Sequence, residues 1–525
     1  MNAALETCKD LLVYEIFVQG FKDTNGDGIG DLPGVIEKVD YIRDLGFNAI
    51  WLGPIWDSPW DDGGYDVRDY YMVAPRYGTM ADLRQLIRML HERDMKLILD
   101  LVPGHTSYQH QWFQESCKLS QNPYTDRYIW TRSTWEKEPV PEHSYINGFV
   151  HRDGNFMTNF FYCQPALNYG FYETKYPWEQ KMDDPAPRAT KEAIVDVLRF
   201  YYDIGADGLR VDMANSLIKR DPEKKGIAAF WQEIRGMLDR EYPGKFLISE
   251  WSDPETSIDA GFHIDMLIHF NNYIGSKLMR HESWADQQDH GPDKHSFFRA
   301  EGKGDFREFL DPYLAMREKA RGKGYLTIPI GNHDIPRISY GRSMEELKVL
   351  YTFFYTFDQV PFFYYGDEIG LEYVAGAPDI EHAFNRTGAR NCMHWTDGEN
   401  GGFSAAKELL MPIGDVQNNV AEQQADPESL LNYLKKLLAV RRSSPAFAVD
   451  SELSFLYAEK GQYPVIYKRS DGKESYLVII NPKDEAFTFD LKESVSEVLA
   501  DRIQIDGTTA AIGPVSYGIF KVVHA

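Results

Sequence analysis

The stretch Ala206-Asp-Gly-Leu-Arg-Val-Asp-Met-Ala-Asn215 carries a short apolar run that stops at an acid, Asp212. The same arrangement recurs in KFLISEWSD (Lys245–Asp253), where the run ends at Glu250, and in TIPIGNHDIPR (Thr327–Arg337), which carries Asp334. Short apolar runs of this kind read as buried parallel strands, and polar residues at the C-terminal strand ends of a βα barrel read as catalytic. Eight strand candidates follow along the chain: Leu11–Val18, Ala49–Pro54, Lys96–Val102, Gly208–Val211, Phe246–Ser249, Asp265–Phe270, Tyr325–Ile330 and Val360–Tyr365. Helix-period segments lie between them, including Val35–Leu45 closed by Gly46, Met80–Arg93, Lys191–Ile204 closed by Gly205, and Phe230–Leu238. This alternation predicts parallel strands with helical crossovers, an α/β fold of the (β/α)8 TIM-barrel class. Three acids at the strand ends predict a converging site. Two of them, with carboxyl groups roughly 5–5.5 Å apart, suffice for retaining cleavage of a glycosidic bond.

Length and composition bound the alternatives. A chain of 525 residues is long enough for two or three domains. With 80 acidic against 56 basic residues, its net charge of −24 disfavours nucleic acid and anionic membranes as partners. A neutral small-molecule substrate meets no such penalty. The cysteines Cys8, Cys117, Cys163 and Cys392 show no paired spacing, so free thiols are expected rather than a disulfide framework or a zinc site. The most apolar stretch, Leu347–Tyr365, is broken by Asp358 and Pro361 and reads as a buried helix running into a strand, not a membrane span. A short polar lead with Glu6, Lys9 and Asp10 precedes the first strand, and a cytoplasmic protein without a signal peptide is expected.

Between the third strand and the helix near Ala189 lie some eighty residues rich in Tyr, Trp, Asn and Pro, too many for an ordinary loop. The expected division is a first barrel part (1–104), an inserted small domain (105–185), a second barrel part (186–445) and a C-terminal antiparallel β-sandwich domain (446–525). The last barrel helix is placed at Glu428–Arg441, and four later segments read as strands: Val465–Lys468, Tyr476–Ile480, Phe487–Leu491 and Gly518–Val523.

Arg210 and Asp212 stand two apart on a strand and so face the same way, where a guanidinium can hold a carboxylate ionised. Glu250, set between Leu247–Ile248 and Trp251, sits where apolar burial raises a carboxyl into the range of a general acid. In Asp23-Thr-Asn25-Gly-Asp27-Gly-Ile29-Gly-Asp31, oxygen ligands at alternate positions suit a hard cation. The twelfth position of that loop is Gly34 rather than Glu, which excludes a helix-loop-helix calcium sensor.

The ordered set DLVPGHTS (Asp100–Ser107), GLRVD (Gly208–Asp212), SEW (Ser249–Trp251) and NHD (Asn332–Asp334) resembles the signature of the α-amylase family of glycoside hydrolases. VYEIFV at Val13, GYDV at Gly64, YYGDEIG at Tyr364 and RTGARNCMHW at Arg386 extend the resemblance over roughly residues 10–445. It implies Asp212 as nucleophile with Arg210 as its partner, Glu250 as acid/base and Asp334 as transition-state stabiliser. It assigns His105 and His333 to the sugar at the cleavage point, and Arg390 to the substrate side. Tyr65 and Asp66 in GYDV are implied to recognise the terminal glucose, as in exo-acting oligosaccharide glucosidases. A structural Ca²⁺ or Mg²⁺ is implied at Asp23, Asn25, Asp27, Asp31 and the Ile29 carbonyl; no motif for an organic cofactor is present.

This sequence departs from the family pattern at Gly104, where Asn is usual, and at Ser249, where Gly is usual. Met213 replaces the familiar Val, Ala or Thr, and Asn215-Ser216 replaces the Lys-His pair of endo-amylases. The leading expectation is a retaining exo-acting α-glucosidase on short oligosaccharides. Its rival is a transglycosylase or isomerase of the trehalose synthase or sucrose isomerase type. An inactive barrel serving as a binding scaffold is the alternative from another class, and the presence of all three acids weighs against it.

Overall fold

The structure, a computed structural model, describes residues 3–139, 142–148, 150–268, 274–279 and 296–523. Eight parallel strands alternate with helices: β1 Val13–Ile16, β2 Ala49–Leu52, β3 Lys96–Leu101, β4 Gly208–Val211, β5 Phe246–Glu250, β6 Ile264–Met266, β7 Tyr325–Thr327 and β8 Phe362–Tyr364. They pair in sequence order from β1 to β7, and β8 pairs β1 with Val13 opposite Phe362. The Val360 N–H donates to the Leu326 carbonyl at 3.0 Å across the remaining seam, so a (β/α)8 barrel results. All eight strands fall inside the runs expected from sequence, except that β5 and β6 shift by one residue at an end. The last part of the Asp265–Phe270 run lies outside the described residues.

Strand side chains alternate between two environments. Val13, Ala49, Trp51, Ile98, Phe246, Ile248, Ile264, Met266 and Phe362 form one apolar cluster inside the barrel. The intervening Tyr14, Ile50, Leu97, Leu99, Leu209 and Leu247 pack outward in the larger cluster shared with the helices. Complete burial of one such side chain stabilises by roughly 1.5–3 kcal/mol, so the alternation fixes strand register strongly. Two residues past Val13, Ile98, Gly208 and Ile248, the same inward face carries Glu15, Asp100, Arg210 and Glu250. The barrel interior is therefore apolar below and charged above.

The polar lead is not a loose tail. Ala3–Lys9 is helical, and its Ala4 and Cys8 join the interior cluster at the lower end of the barrel. Around the outside, Leu32–Leu45 starts at the Asp31 cap and ends at Gly46 in the left-handed region, φ 117°. The Leu347–Tyr365 stretch resolves into a helix, Met344–Thr356, and β8.

After β3 the chain makes an excursion of turns, a short helix (Gln111–Ser116) and a two-stranded ladder (Tyr145–Ile146 with Phe156–Met157) before the helix Pro185–Asp203. The C-terminal region contains six strands rather than four: β9 Glu452–Tyr457, β10 Val465–Ser470, β11 Ser475–Asn481, β12 Phe487–Asp490, β13 Val495–Asp506 and β14 Thr509–Val522. They pair antiparallel in one sheet. Along β11, Tyr476, Val478 and Ile480 face the barrel helices, whereas Leu477 and Ile479 face the sheet's own cluster. The strands missed from sequence, β9 and β13, are partly exposed along nearly their whole length, with one buried residue, Ile503, between them.

A Cβ on Gly208 would lie 2.1 Å from the buried Phe246 ring, so β4 needs glycine there for packing rather than for backbone freedom. Gly208→Ala is expected to destabilise the protein by about 1–3 kcal/mol through overpacking. Combining it with Phe246→Leu should recover part of that loss in chemical denaturation. Equal stability of the single variant and the parent would contradict this packing.

Candidate active site

Arg210 is the centre of the charged layer. Its Nη1 donates to Asp100 Oδ1 at 2.8 Å and Asp212 Oδ1 at 3.0 Å, and its Nη2 lies 2.7 Å from Glu250 Oε1. Its side chain is only 3% exposed. Burial alone would lower the guanidinium pKa, but Asp100 and Glu250 outweigh it and hold the charge firmly. Asp100 also accepts from Trp51 Nε1 at 3.1 Å and Tyr65 Oη at 3.2 Å.

Asp212 follows β4 and shares the Arg210 guanidinium with Glu250. Burial, and then the adjoining Glu250 charge, raise Asp212 well above the ordinary carboxylate range. The Arg210 guanidinium alone therefore does not hold Asp212 ionised, contrary to the expectation from sequence, because burial and the neighbouring carboxylate outweigh it. Met213 follows in the left-handed region, φ 43°, and its N–H donates to Glu250 Oε2 at 2.8 Å. The strained residue thus helps fix the second acid.

Asp334 stands across the site. His333 Nε2 lies 3.2 Å from Asp334 Oδ2, and His333 Nδ1 lies 2.7 Å from Glu15 Oε1. Arg386 Nη1 and Arg390 Nη2 each donate to Asp334 Oδ1 at 3.1 Å. Burial would raise Asp334, but His333, Arg386 and Arg390 together hold it well below its usual value. Arg386 Nη2 continues to Asp62 Oδ1 at 2.9 Å, and Gln164 Nε2 donates to Asp62 Oδ2 at 2.7 Å. The loop after β2, the excursion after β3 and the segment after β8 meet there. His382 Nδ1 lies 3.0 Å from the Asp61 carbonyl at the same junction.

The structure brings Asp212, Glu250, Arg210, Asp334, His333 and Tyr65 together. Tyr65 stacks on His333 with ring centres 5.4 Å apart, and its hydroxyl reaches His333 Nε2 at 2.7 Å. His105 lies beside Tyr65, with Nε2 3.2 Å from the Tyr65 carbonyl. Burial lowers the His105 pKa to about 3, so the ring is neutral.

Two residues implied to face the sugar, Asp66 and Arg390, are engaged by protein partners. Asp66 is fully buried, and its oxygens accept from Ser58 Oγ at 2.8 Å, Asp61 N at 2.9 Å and Asp62 N at 3.1 Å. It knots the loop, and Asp62, four residues earlier, is the carboxylate joined to the site. Arg390 is also fully buried; with Nε on the His333 carbonyl at 2.9 Å, it supports Asp334 from behind, and Arg386 stands nearer the opening. Glu15, Asp62 and Arg386 were missed by sequence reasoning. The two-residue step from inward Val13 was the available signal for Glu15.

At the cation loop, Asp23 Oδ1 accepts from Asn25 N and Gly26 N, Asn25 Oδ1 from Asp27 N, and Asp27 Oδ1 from Ile29 N. Asp31 instead caps the helix Leu32–Leu45 through Gly34 N at 2.7 Å and receives Thr24 N at 3.0 Å. Among the described residues, no three acidic, His or Cys side chains converge as a metal centre.

The family model for the α-amylase catalytic domain matches residues 15–450. The chain belongs to the α-amylase family. It is an enzyme of the glycoside hydrolase class. The oligo-1,6-glucosidase of Parageobacillus thermoglucosidasius is 28% identical over 95% of each chain. The trehalose synthase/amylase of Mycolicibacterium smegmatis is 34% identical over 84% of this chain and 77% of its own. An inactive MutB double mutant in complex with isomaltulose matches with TM-score 0.81 at 25% identity, over 98% of this chain and 99% of that one. A mutant isomaltulose synthase from Erwinia rhapontici NX5, in complex with sucrose, matches with TM-score 0.80 at 25% identity over 98% of both. Among the described residues, no helix is long and apolar enough to cross a membrane.

In this α-amylase-family site, burial works against protonated His333, but Asp334 and Glu15 prevail and hold it up at about 9. Because the folded value exceeds the unfolded one, His333 contributes stability that is complete below pH about 6.5 and is lost as pH rises through the folded value. The stability gap between the parent and His333→Gln, measured by chemical denaturation, should therefore close across that window. A gap independent of pH would show that His333 is neutral throughout.

Proposed function

We propose that the protein is a retaining, exo-acting α-glucosidase for short α-linked gluco-oligosaccharides. The observation that carries this reading is the pair Asp212 and Glu250 held on one guanidinium, with Asp334 facing them from strand β7's end. In the first step an Asp212 oxygen attacks the anomeric carbon. The bond to the leaving oxygen breaks, and that oxygen takes the proton from Glu250. In the second step Glu250 removes a proton from water, which attacks the same carbon and displaces Asp212. Substrate entering between the two acids separates them, leaving the proton on Glu250 and the negative charge of Asp212 against Arg210. Asp334, held ionised by His333 and two arginines, faces the positive charge that develops on the sugar.

Exo action is supported by the Asp62–Arg386 junction, where three segments close one side of the site and offer a charged pair to terminal hydroxyls. A second reading, an isomerase that retains the released sugar and recombines it, is favoured by the likeness to trehalose synthase and to isomaltulose synthase. Products from maltose, isomaltose, sucrose and trehalose separate the two: glucose accumulates for a glucosidase, a new disaccharide for an isomerase.

Asp212→Asn is expected to remove nearly all turnover, and proton NMR should show the α-anomer as the first product. Initial β-anomer would sink the retaining scheme. Asp62→Ala should cost activity on maltotriose, and faster cleavage of soluble starch than of maltotriose would rule out exo action.

We also infer a structural Ca²⁺ or Mg²⁺ at the loop after β1. The ladder of N–H donors orients the side-chain oxygens: Asn25 Oδ1 and Asp27 Oδ1 each accept one hydrogen bond and keep a lone pair for a hard cation, whereas Asp23 accepts from Asn25 N, Gly26 N, Gly28 N and Ser404 Oγ and would have to give up one of these to ligate. The Ile29 carbonyl would complete the donors, and Asp31 would act through the helix cap. A cation that binds only the folded chain raises stability, by about 2.7 kcal/mol at a hundredfold excess over its dissociation constant. Chelator should lower the melting temperature, and added Ca²⁺ should restore it. An unchanged melting temperature would exclude the site.

A further inference from the structure

The reaction scheme gives Glu15 no part, yet this buried acid grips a residue beside the reacting groups. Glu15 stands on β1, two residues past inward-facing Val13, and is 2% exposed. Its Oε1 lies 2.7 Å from His333 Nδ1, and the His333 backbone N–H reaches the same oxygen at 3.4 Å. The other ring nitrogen, Nε2, lies 2.7 Å from Tyr65 Oη, and Asp334 Oδ2 shares it at 3.2 Å. Phe17 and Tyr65 both lie nearly parallel to the imidazole, each with ring centres 5.4 Å away, which fixes the plane of the ring. Both edges of His333 therefore end on oxygen.

Donor and acceptor roles along this chain follow from Arg210, which can only donate. Asp100 accepts from it, and also from the Trp51 indole and the Tyr65 hydroxyl. The Tyr65 proton is spent on Asp100, so the Tyr65 oxygen accepts from His333 and Nε2 carries a proton. Glu15 accepts at the other edge as a carboxylate, so Nδ1 carries one too. An imidazole with both protons is a cation. Burial opposes that charge, but Asp334 and Glu15 hold the ring up to about 9. The geometry points to Glu15 as a positioning residue: by holding the Nδ1 proton it keeps His333 cationic, and through that ring it keeps Asp334 ionised and the Tyr65 hydroxyl turned to Asp100. This rests on the scheme above, in which Asp334 acts as an anion. Facing the pair from the other elements are Asp100 on β3, Arg210 on β4, Tyr364 on β8, and Arg386 and Arg390 after it. With the Glu15 charge removed, the guanidiniums turn the balance against a cation on His333.

The test uses Glu15→Gln, which keeps the shape and can still accept the Nδ1 proton but carries no charge. In that variant a neutral ring keeps its proton on Nδ1, and the bare Nε2 draws the Tyr65 proton away from Asp100. Carbon-13 NMR of histidine-labelled protein reads the ring directly, the His333 signal being the one missing from His333→Gln. It should leave the cationic position about one pH unit or more lower in Glu15→Gln than in the parent, and Glu15→Asp, which keeps the charge, should restore most of that shift. The parent-to-variant ratio of kcat/KM, on whichever of maltose, isomaltose, sucrose and trehalose is turned over, cancels the titrations the two enzymes share. It should be near one in mild acid, where the ring is charged in both, and climb with pH toward about tenfold or more. An unshifted ring titration, or a ring already neutral in the parent at neutral pH, would overturn the proposal. The parent measurement decides even if Glu15→Gln does not fold, and failure of Glu15→Asp to restore the titration would overturn it as well, by showing that shape rather than charge matters. A shifted titration with an activity ratio independent of pH would leave the Glu15 grip standing and sink the role of Asp334 in the scheme instead.

Discussion

Everything in the site depends on a buried guanidinium that cannot be left unpaired. Arg210 sits above an apolar barrel interior, and its partners Asp100, Asp212 and Glu250 are each no more than 10% exposed. In so dry a setting the mutual attraction is strong, and removal of any one partner leaves an uncompensated charge. Such a cluster contributes little net stability compared with apolar packing. What it supplies is position: three carboxylates from two neighbouring strands and the next are pinned to one planar fork.

The same division of labour holds at the rim. The strands are rigid and apolar, and the groups that face substrate come from loops whose ends those strands fix. Asp62, Gln164 and Arg386 come from segments separated by up to 324 residues, and they meet because three βα connections leave the same end of the barrel. Left-handed backbone at Met213, Ser252, His382 and Phe384 marks places where the chain is held against its preference. At Met213 the consequence is visible, since the backbone N–H is turned onto Glu250.

The opposed pKa directions follow from environment rather than residue type. Asp212 directly follows β4 and is buried, and Asp334, in the loop after β7, is largely buried. One rises because its nearest neighbour is another carboxyl, and the other falls because an imidazolium and two guanidiniums surround it. The low value keeps Asp334 ionised, as a group facing positive charge requires, whereas Asp212 must ionise before it can attack.

Much of the fold was legible in the sequence, because the barrel strands are buried on both sides and show as apolar runs, several of them ending at a polar residue. The two-residue repeat that puts Val13 inside the barrel also puts Glu15 there, and Ile98 likewise predicts Asp100. Asp212, Glu250 and Asp334 stood out for the same reason. The helical lead at Ala3–Lys9 and the edge strands β9 and β13 were not legible, since their burial comes from distant partners or is slight. Only the tertiary structure gave Asp66 and Asp62 their different partners. Both lie in one acidic loop, and which carboxylate is spent on its own backbone depends on a turn that places Ser58 and the Asp61 and Asp62 N–H groups around Asp66. The same holds for Arg386 against Arg390, four residues apart in one segment. Both are buried and both bind Asp334, but packing of Arg390 against Phe17 and the His333 carbonyl leaves Arg386 as the one that also pairs with Asp62.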